Sequence, residues 1–391
     1  MIPLMRNTFL NEYETKKELS EFILKADKLS MGDMCIKFER EFIKKQGRKY
    51  SVLFNSGSSA NLALMQSLKN LGLLNTNDNV GFSSLTWPTN PMSILQVGCN
   101  PIPIDCDRYT LNVMSYNLKE TLKKIKLKAL FITNALGFVG DLDEIRNICD
   151  ENNILLIEDN CESLGTELLY DKSGNFGLAS SFSFFVAHHM STIEGGMVCT
   201  DNEELMEMLI MVRSNGWDRN LNFKQQMKWR KKFNIKSEFD AKYTFYDIAY
   251  NFRPTEITGF LGLNQLKILD ENIRTRQKNH LQLEEIVKEN SELITLKHDH
   301  IKTISPFAFP VICKTPEIRN KYLTEFLGAD IETRPVIAGN IQNQPFYKKY
   351  IKNIVNLPET EFVSSNGFYC GNYPDLLESE LDIISSCLMN K

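Results

Sequence analysis

Two adjacent histidines, His188 and His189, stand in the stretch Ser181–Val198, SFSFFVAHHMSTIEGGMV. Imidazole gains and loses a proton near neutral pH, so a well-placed histidine can act as a general base and then as an acid. A His-His pair can equally be structural. Asp159 closes an apolar run in LLIEDNCES, and Glu162 follows three residues later. A carboxylate there can pair with a cation or cap a helix, and the Asp-x-x-Glu spacing also fits a capping box. Gly57 and Ser58 follow the apolar run SVLFN. If a helix starts there, its unpaired N–H groups favour an anion, although an ordinary capped helix has the same sequence. Ser183 offers a second hydroxyl, or is simply a polar strand residue. Trp87, before Pro88, offers a flat stacking face or fills a core.

Other polar residues are less tied to one chemistry. Asn251 and Arg253 lie in AYNFRPTE, a turn-like segment. Arg219 in GWDRN and Arg334 in ETRPVIAGN carry the planar guanidinium fork that grips a diphosphate. The run Lys228-Trp229-Arg230-Lys231-Lys232 can do the same or face solvent. His298-Asp299-His300 has the look of a metal pair but no further ligand nearby in sequence, so it reads as a polar loop and no metal site is expected.

These residues need a frame. Short apolar runs at Ser51–Asn55, Asn79–Ser83, Pro101–Asp105, Ala129–Asn134 and Ile154–Asp159 alternate with helical patterns such as Leu142–Asn152. That alternation predicts an α/β fold with a mainly parallel sheet covered on both faces. Ligands then sit at the carboxyl ends of the strands, where Gly57, Ser58, Trp87, Asp159 and Ser183 fall. From about Gln265 the pattern changes to a long polar helix (Asp270–Glu289), a strand in Ser305–Cys313, and helices near Pro316–Leu327 and Leu376–Met389. The expected division is an N-terminal arm (1–30), a large domain (31–265) and a smaller C-terminal α+β domain (266–391). The arm should pack on the small domain or across a subunit boundary. Asn220–Tyr243 reads as a basic insertion of loop or short helices.

Composition narrows the partners. The 391 residues carry a formal net charge of −4, which argues against nucleic-acid binding by bulk charge. No apolar run is long enough to span a membrane, and the N-terminus lacks the apolar core of a signal peptide. Nine scattered cysteines include no C-x-C or C-x-x-C, which points to reduced thiols, a cytoplasmic setting and no iron–sulfur cluster.

Taken in order, SGSSA, TWP, IEDN, SFSFFVAHH…EGG and YNFRPTE…GFLGLNQL resemble the sugar-nucleotide aminotransferases, a pyridoxal-phosphate (PLP) family of fold type I. The resemblance spans about residues 30–270 and returns in the closing GFYCGNYPDLLESELDIISSCL. It implies that Gly57, Ser58 and Ser183 hold the cofactor phosphate, and that Asn251 does so from the neighbouring subunit of a homodimer with shared sites. It implies that Asp159 pairs with the pyridine nitrogen, Glu162 contacts the ring hydroxyl and Trp87 stacks on the ring. The family has a lysine where this chain has His188, with the following STIEGG setting the register. A histidine can move the proton but cannot form a stable imine. The similarity therefore narrows to a branch that works through PMP and removes the C3 hydroxyl from a 4-keto-6-deoxy nucleotide sugar, with GDP-4-keto-6-deoxy-mannose the expected substrate and GDP or CDP, hexose or heptose, left open by the sequence. L-glutamate would supply the amine and ammonia would leave. A 4-aminotransferase and an inactive regulatory protein of the same fold are the alternatives.

Overall fold

Seven short strands meet in one sheet, in the computed structural model that describes residues 1–389 of the chain. In chain order the first eight strands are β1 (Tyr50–Phe54), β2 (Asn79–Ser83), β3 (Asn100–Ile104), β4 (Ala129–Thr133), β5 (Leu155–Asp159), β6 (Glu167–Leu168), β7 (Ala179–Ser183) and β8 (Gly196–Thr200). All but β6 join the large sheet, in the order β1-β8-β7-β5-β4-β2-β3. Neighbours from β3 through β7 are parallel. β8 runs antiparallel to both β7 and β1.

The central strands are almost wholly buried because helices cover both faces, and most of their residues are apolar, although β7 carries three serines. Along β4, Phe131 joins a core with Phe82, Leu64 and Val212. Its neighbours Leu130 and Ile132 point the other way, into a core with Leu136, Phe138 and Ile145. This period-two split follows from the pleat. Emptying one such position, as in Phe131→Ala, costs about 3–5 kcal/mol.

The second unit has its own sheet. β9 (Ile301–Thr303) pairs with β6, while β10 (Ala308–Ile312), β12 (Gly367–Gly371) and β11 (Thr333–Pro335) form an antiparallel sheet in that order. Helices Pro316–Gly328 and Glu378–Leu388 complete a core around Tyr322, Phe326, Phe309 and Phe368.

The helix Leu269–Glu289 belongs to both units. Leu269 and Ile273 pack with Phe38, Phe42 and Phe182 of the large unit. Leu283 and Val287, at its other end, pack in the small one. A cut at 265/266 thus falls just before an element that both cores share. The N-terminal arm also divides. Ile2 pairs with Ile331 of the small unit, and Arg6 donates to the Asp375 carbonyl at 3.0 Å. The helix Glu12–Lys25 instead lies on the helix Glu256–Leu266, with Phe22 stacked on Phe260 at 4.5 Å. Within Asn220–Tyr243 the chain forms the helices Phe223–Lys232 and Glu238–Ala241. Its basic run is anchored rather than free: Trp229 is buried against Glu207, and Arg230 donates to Asp218 at 2.7 Å.

Candidate functional site

The helix Gly57–Asn70 begins directly after β1, and Ser56, not Ser58, caps it by accepting from Ser59 N at 3.0 Å. The Gly57 and Ser58 positions are therefore left as the first, unpaired N–H donors of the helix. Gly57 is dictated by packing. A β-carbon there would lie 2.7 Å from Ser183 Cβ and 3.1 Å from Cys161 Sγ. The helix start is thus seated against the end of β7, which places Gly57, Ser58 and Ser183 together. Ser183 is buried at 7% exposure, with Phe185 N donating to its hydroxyl at 3.4 Å.

Asp159 ends β5, next to β7 in the sheet. It is 3% exposed. Its two oxygens accept only from neutral groups, Asn61 Nδ2 at 2.9 Å and Cys161 N at 3.0 Å. No described residue forms an ion pair with it. A buried carboxylate held only by neutral donors is costly, and a cation brought against it lowers that cost. No helix follows for it to cap, since residues 161–165 form turns. Glu162 does not build a capping box either. It accepts from Leu136 N at 2.8 Å, and burial pushes its carboxyl up to about 7 against the pull of that N–H.

His188 lies in the turn after β7. Its Nδ1 donates to the Cys161 carbonyl at 2.5 Å, which fixes the tautomer and leaves Nε2 with its lone pair. Cys161 thus ties Asp159 to His188: its N–H meets Asp159 and its carbonyl meets His188. Burial pushes His188 down to about 4, against upward pulls from the Cys161 carbonyl and the Asp159 charge. The ring is therefore neutral at pH 7, below the basicity expected of an ordinary histidine. His189 faces away. Its Nε2 donates to the Ser305 carbonyl at 2.8 Å, and Asn272 donates to its own carbonyl.

The small unit closes over this turn. Gly137, at φ +91°, lets Ser305 approach within 2.0 Å of where a β-carbon would sit, and Phe307 N donates to the Leu136 carbonyl at 3.0 Å. Phe307 then lies against His188, ring centroids 5.1 Å apart, with Tyr369 beyond it at 6.4 Å. Arg276 is buried behind the turn. It donates to the carbonyls of Phe307 and Asn372 at 2.8 and 2.7 Å and reaches that of His188 at 3.5 Å. Burial lowers its guanidinium to about 9.

Trp87 is 54% exposed, which excludes the plain-core reading and leaves a flat aromatic face just past the carboxyl end of β2. The remaining predicted residues do not join the cluster. Asn251 is exposed and accepts from Arg253 Nε at 2.9 Å. Arg219 donates to the Lys242 carbonyl at 2.9 Å and lies 4.0 Å over the Trp217 ring. Together they line a surface cavity of about 400 Å³ with Lys28 and Trp217. Arg334 is in the other unit, on β11, and pairs with Glu332 at 2.5 Å. The two arginines do not form one clamp within the chain.

Five residues of this site carried no signal of their own: Asn61, Cys161, Arg276, Phe307 and Tyr369. Cys161 follows Asp159 closely enough to be suspected. The last three come from more than 80 residues away along the chain.

A carboxylate seeking a cation, an anion-ready helix start beside a buried serine, and an exposed aromatic face together fit PLP. Asp159 would hold its pyridine nitrogen and Gly57, Ser58 and Ser183 its phosphate. Comparison with known proteins points to the same cofactor. GDP-4-keto-6-deoxy-D-mannose 3-dehydratase of Escherichia coli O55:H7 is 32% identical over 372 residues, 94% of each chain. The enzyme of the same name from Yersinia pseudotuberculosis is 32% identical over 366 residues, 92% of each chain. The structure of GDP-4-keto-6-deoxymannose-3-dehydratase with a trapped PLP-glutamate geminal diamine superposes at a TM-score of 0.91, with 31% identity, 99% of this chain and 100% of that one covered. Residues 11–389 match the profile of one family along nearly their whole length, and the chain belongs to it: the DegT/DnrJ/EryC1/StrS aminotransferase family.

Proposed function

We propose that this protein removes the C3 hydroxyl of a nucleotide-linked 4-keto-6-deoxy sugar, GDP-4-keto-6-deoxy-mannose, using PLP/PMP. L-glutamate is the amino donor, ammonia is released, and the product is a dideoxysugar made in the cytoplasm for a bacterial surface polysaccharide. The observation that carries this reading is His188. It occupies the turn where the resembling aminotransferases have lysine, and its tautomer leaves Nε2 free to accept a proton. The named relatives are 3-dehydratases of this sugar, and they support the same choice.

PLP/PMP bound here would supply an electron sink for a proton removed from the carbon beside its amine. The protein's part is to place and move charge. Asp159 keeps the ring nitrogen protonated. Gly57, Ser58 and Ser183 anchor the phosphate, with Asn251 of a second copy completing that anchor in a homodimer. Trp87 covers the ring face and Glu162 accepts from the ring hydroxyl. His188 Nε2 removes the proton and returns it to the departing C3 hydroxyl, which leaves as water. Arg276 and Asn272 hold the backbone of the His188–His189 turn while this happens.

The test is to incubate the protein with PLP, L-glutamate and GDP-4-keto-6-deoxy-mannose, then weigh the sugar product and assay ammonia. A product that has lost the C3 oxygen, with ammonia released, is expected. A product that has gained nitrogen would overturn dehydration in favour of amination. PLP converting to PMP with the sugar untouched would reject this nucleotide sugar as the substrate.

A further inference from the structure

The helix Leu269–Glu289 carries a polar stripe where an apolar one would be expected. Asn272, Arg276, His280 and Glu284 recur every four residues, and all four are between 1% and 4% exposed. This spacing places them on one face. The first two are accounted for by the carbonyls around the His188–His189 turn. The last two are not. His280 sits among Phe138 and Phe309, ring centroids 5.3 and 5.2 Å away, and neither of its ring nitrogens has a hydrogen-bond partner among the described residues. A buried imidazole without partners costs free energy unless something supplies them.

Two further donors face it. Glu284 Oε1 lies 3.9 Å from His280 Nε2 and 2.7 Å from His298 Nε2. One ligand atom from each residue falls within 4.8 Å of the others. The edges of a tetrahedral zinc site with nitrogen and oxygen ligands are about 3.3 Å, so small side-chain movements bring all three into range. His298 is partly exposed and opens a path to solvent. Lys288 Nζ, 3.2 Å from Glu284 Oε2, is the competing cation, and its half-exposed side chain can swing away.

We infer that His280, Glu284 and His298 form a structural site for a divalent transition metal, with zinc the best fit, that pins the shared helix to the loop before β9. Two imidazoles and one carboxylate suit zinc over magnesium or calcium, which prefer oxygen-only shells. A water would complete the tetrahedron. His298 would bind through Nε2 and keep its ring proton on Nδ1. His300, two residues on, takes no part, because its Nε2 is bonded to the Val139 carbonyl at 2.9 Å. The site is separate from the cofactor cluster. It acts on the same helix, one turn beyond Arg276, and so stiffens the support behind His188.

The test uses the full-length protein, stripped with a chelator under reducing conditions. Zinc is added back, excess is removed by gel filtration, and bound metal is measured by elemental mass spectrometry. Wild type and His300→Ala should retain one zinc per chain and melt at a higher temperature with zinc than with magnesium. His280→Phe, which matches the surrounding phenylalanines, and His298→Asn should lose that equivalent. Glu284→Gln keeps the side-chain shape and should bind zinc about tenfold more weakly or worse. Wild type retaining no zinc would overturn the site. So would zinc held as well by His298→Asn and Glu284→Gln as by wild type, because the nine thiols would then be the ligands.

Discussion

Two groups of predicted site residues behave differently. Gly57, Ser58, Asp159, Ser183 and His188 converge inside one chain, with Gly57, Asp159 and Ser183 buried, His188 half-buried, and Cys161 bonded to both Asp159 and His188. Asn251 and Arg219 lie on an exposed surface, bonded to their own neighbours. The first group comes from strand ends that the sheet forces together. The second comes from loop segments outside the large sheet, Asn251 paired only in an isolated bridge with Ser214. A single chain therefore brings together the residues of the proposed acid–base half of the site. Its other half depends on what meets that surface, which in the proposed homodimer is the partner's cofactor.

The largest expected effect comes from breaking the buried half. His188→Asn should lower dehydration by about 10²–10⁴-fold, measured as deoxysugar formed per minute, while PLP stays bound. Unchanged turnover would remove His188 as the base. Asp159→Asn should weaken PLP binding by about 2–5 kcal/mol, read from absorbance titration. The same change should make the cofactor-free protein no less stable, because it deletes a buried carboxylate held only by neutral donors.

The exposed half is tested by mixing. Asn251→Ala and His188→Asn chains, each impaired alone, should regain activity when mixed and allowed to exchange subunits. No recovery would place Asn251 outside a shared site. The smallest effect concerns pH. Burial raises the folded-state pKa of Glu162 to about 7, so its contribution to stability is full below the ordinary carboxylate pKa and is lost as pH rises through about 7. Glu162→Gln removes that dependence. The melting temperature of the cofactor-free wild type should fall by a few degrees, roughly 2–4 °C, relative to Glu162→Gln between pH 5 and pH 8. His188 has the opposite sign: its lowered pKa costs stability only as pH falls from the ordinary histidine value toward about 4.

Much of the frame was legible. The run Asn79–Ser83 is β2 as it stands, and the run Ile154–Asp159 differs from β5 by one residue. Such runs are readable because a strand buried on both faces needs continuous apolar residues. Sequence neighbours were less informative about side-chain roles. Asp159 and Glu162 have capping-box spacing, yet the chain turns instead of forming a helix, and Glu162 goes to Leu136. His298 and His300 look like a pair, yet one ring meets Glu284 and the other meets Val139. The domain cut failed to show that one helix serves both cores, because periodicity reports an amphipathic face and not what it packs against.

By itself the sequence determined the alternation of strands and helices, the polar residues placed at strand ends, and the histidine where the resembling aminotransferases have lysine. These are local facts, set by backbone geometry and residue type. Tertiary structure alone decided that Cys161 ties Asp159 to His188, that Phe307 and Arg276 close behind them, and that His298 meets the His280 and Glu284 face of the shared helix. Those arrangements join segments from tens of residues to more than a hundred apart, and packing, not spacing along the chain, brings such segments into contact.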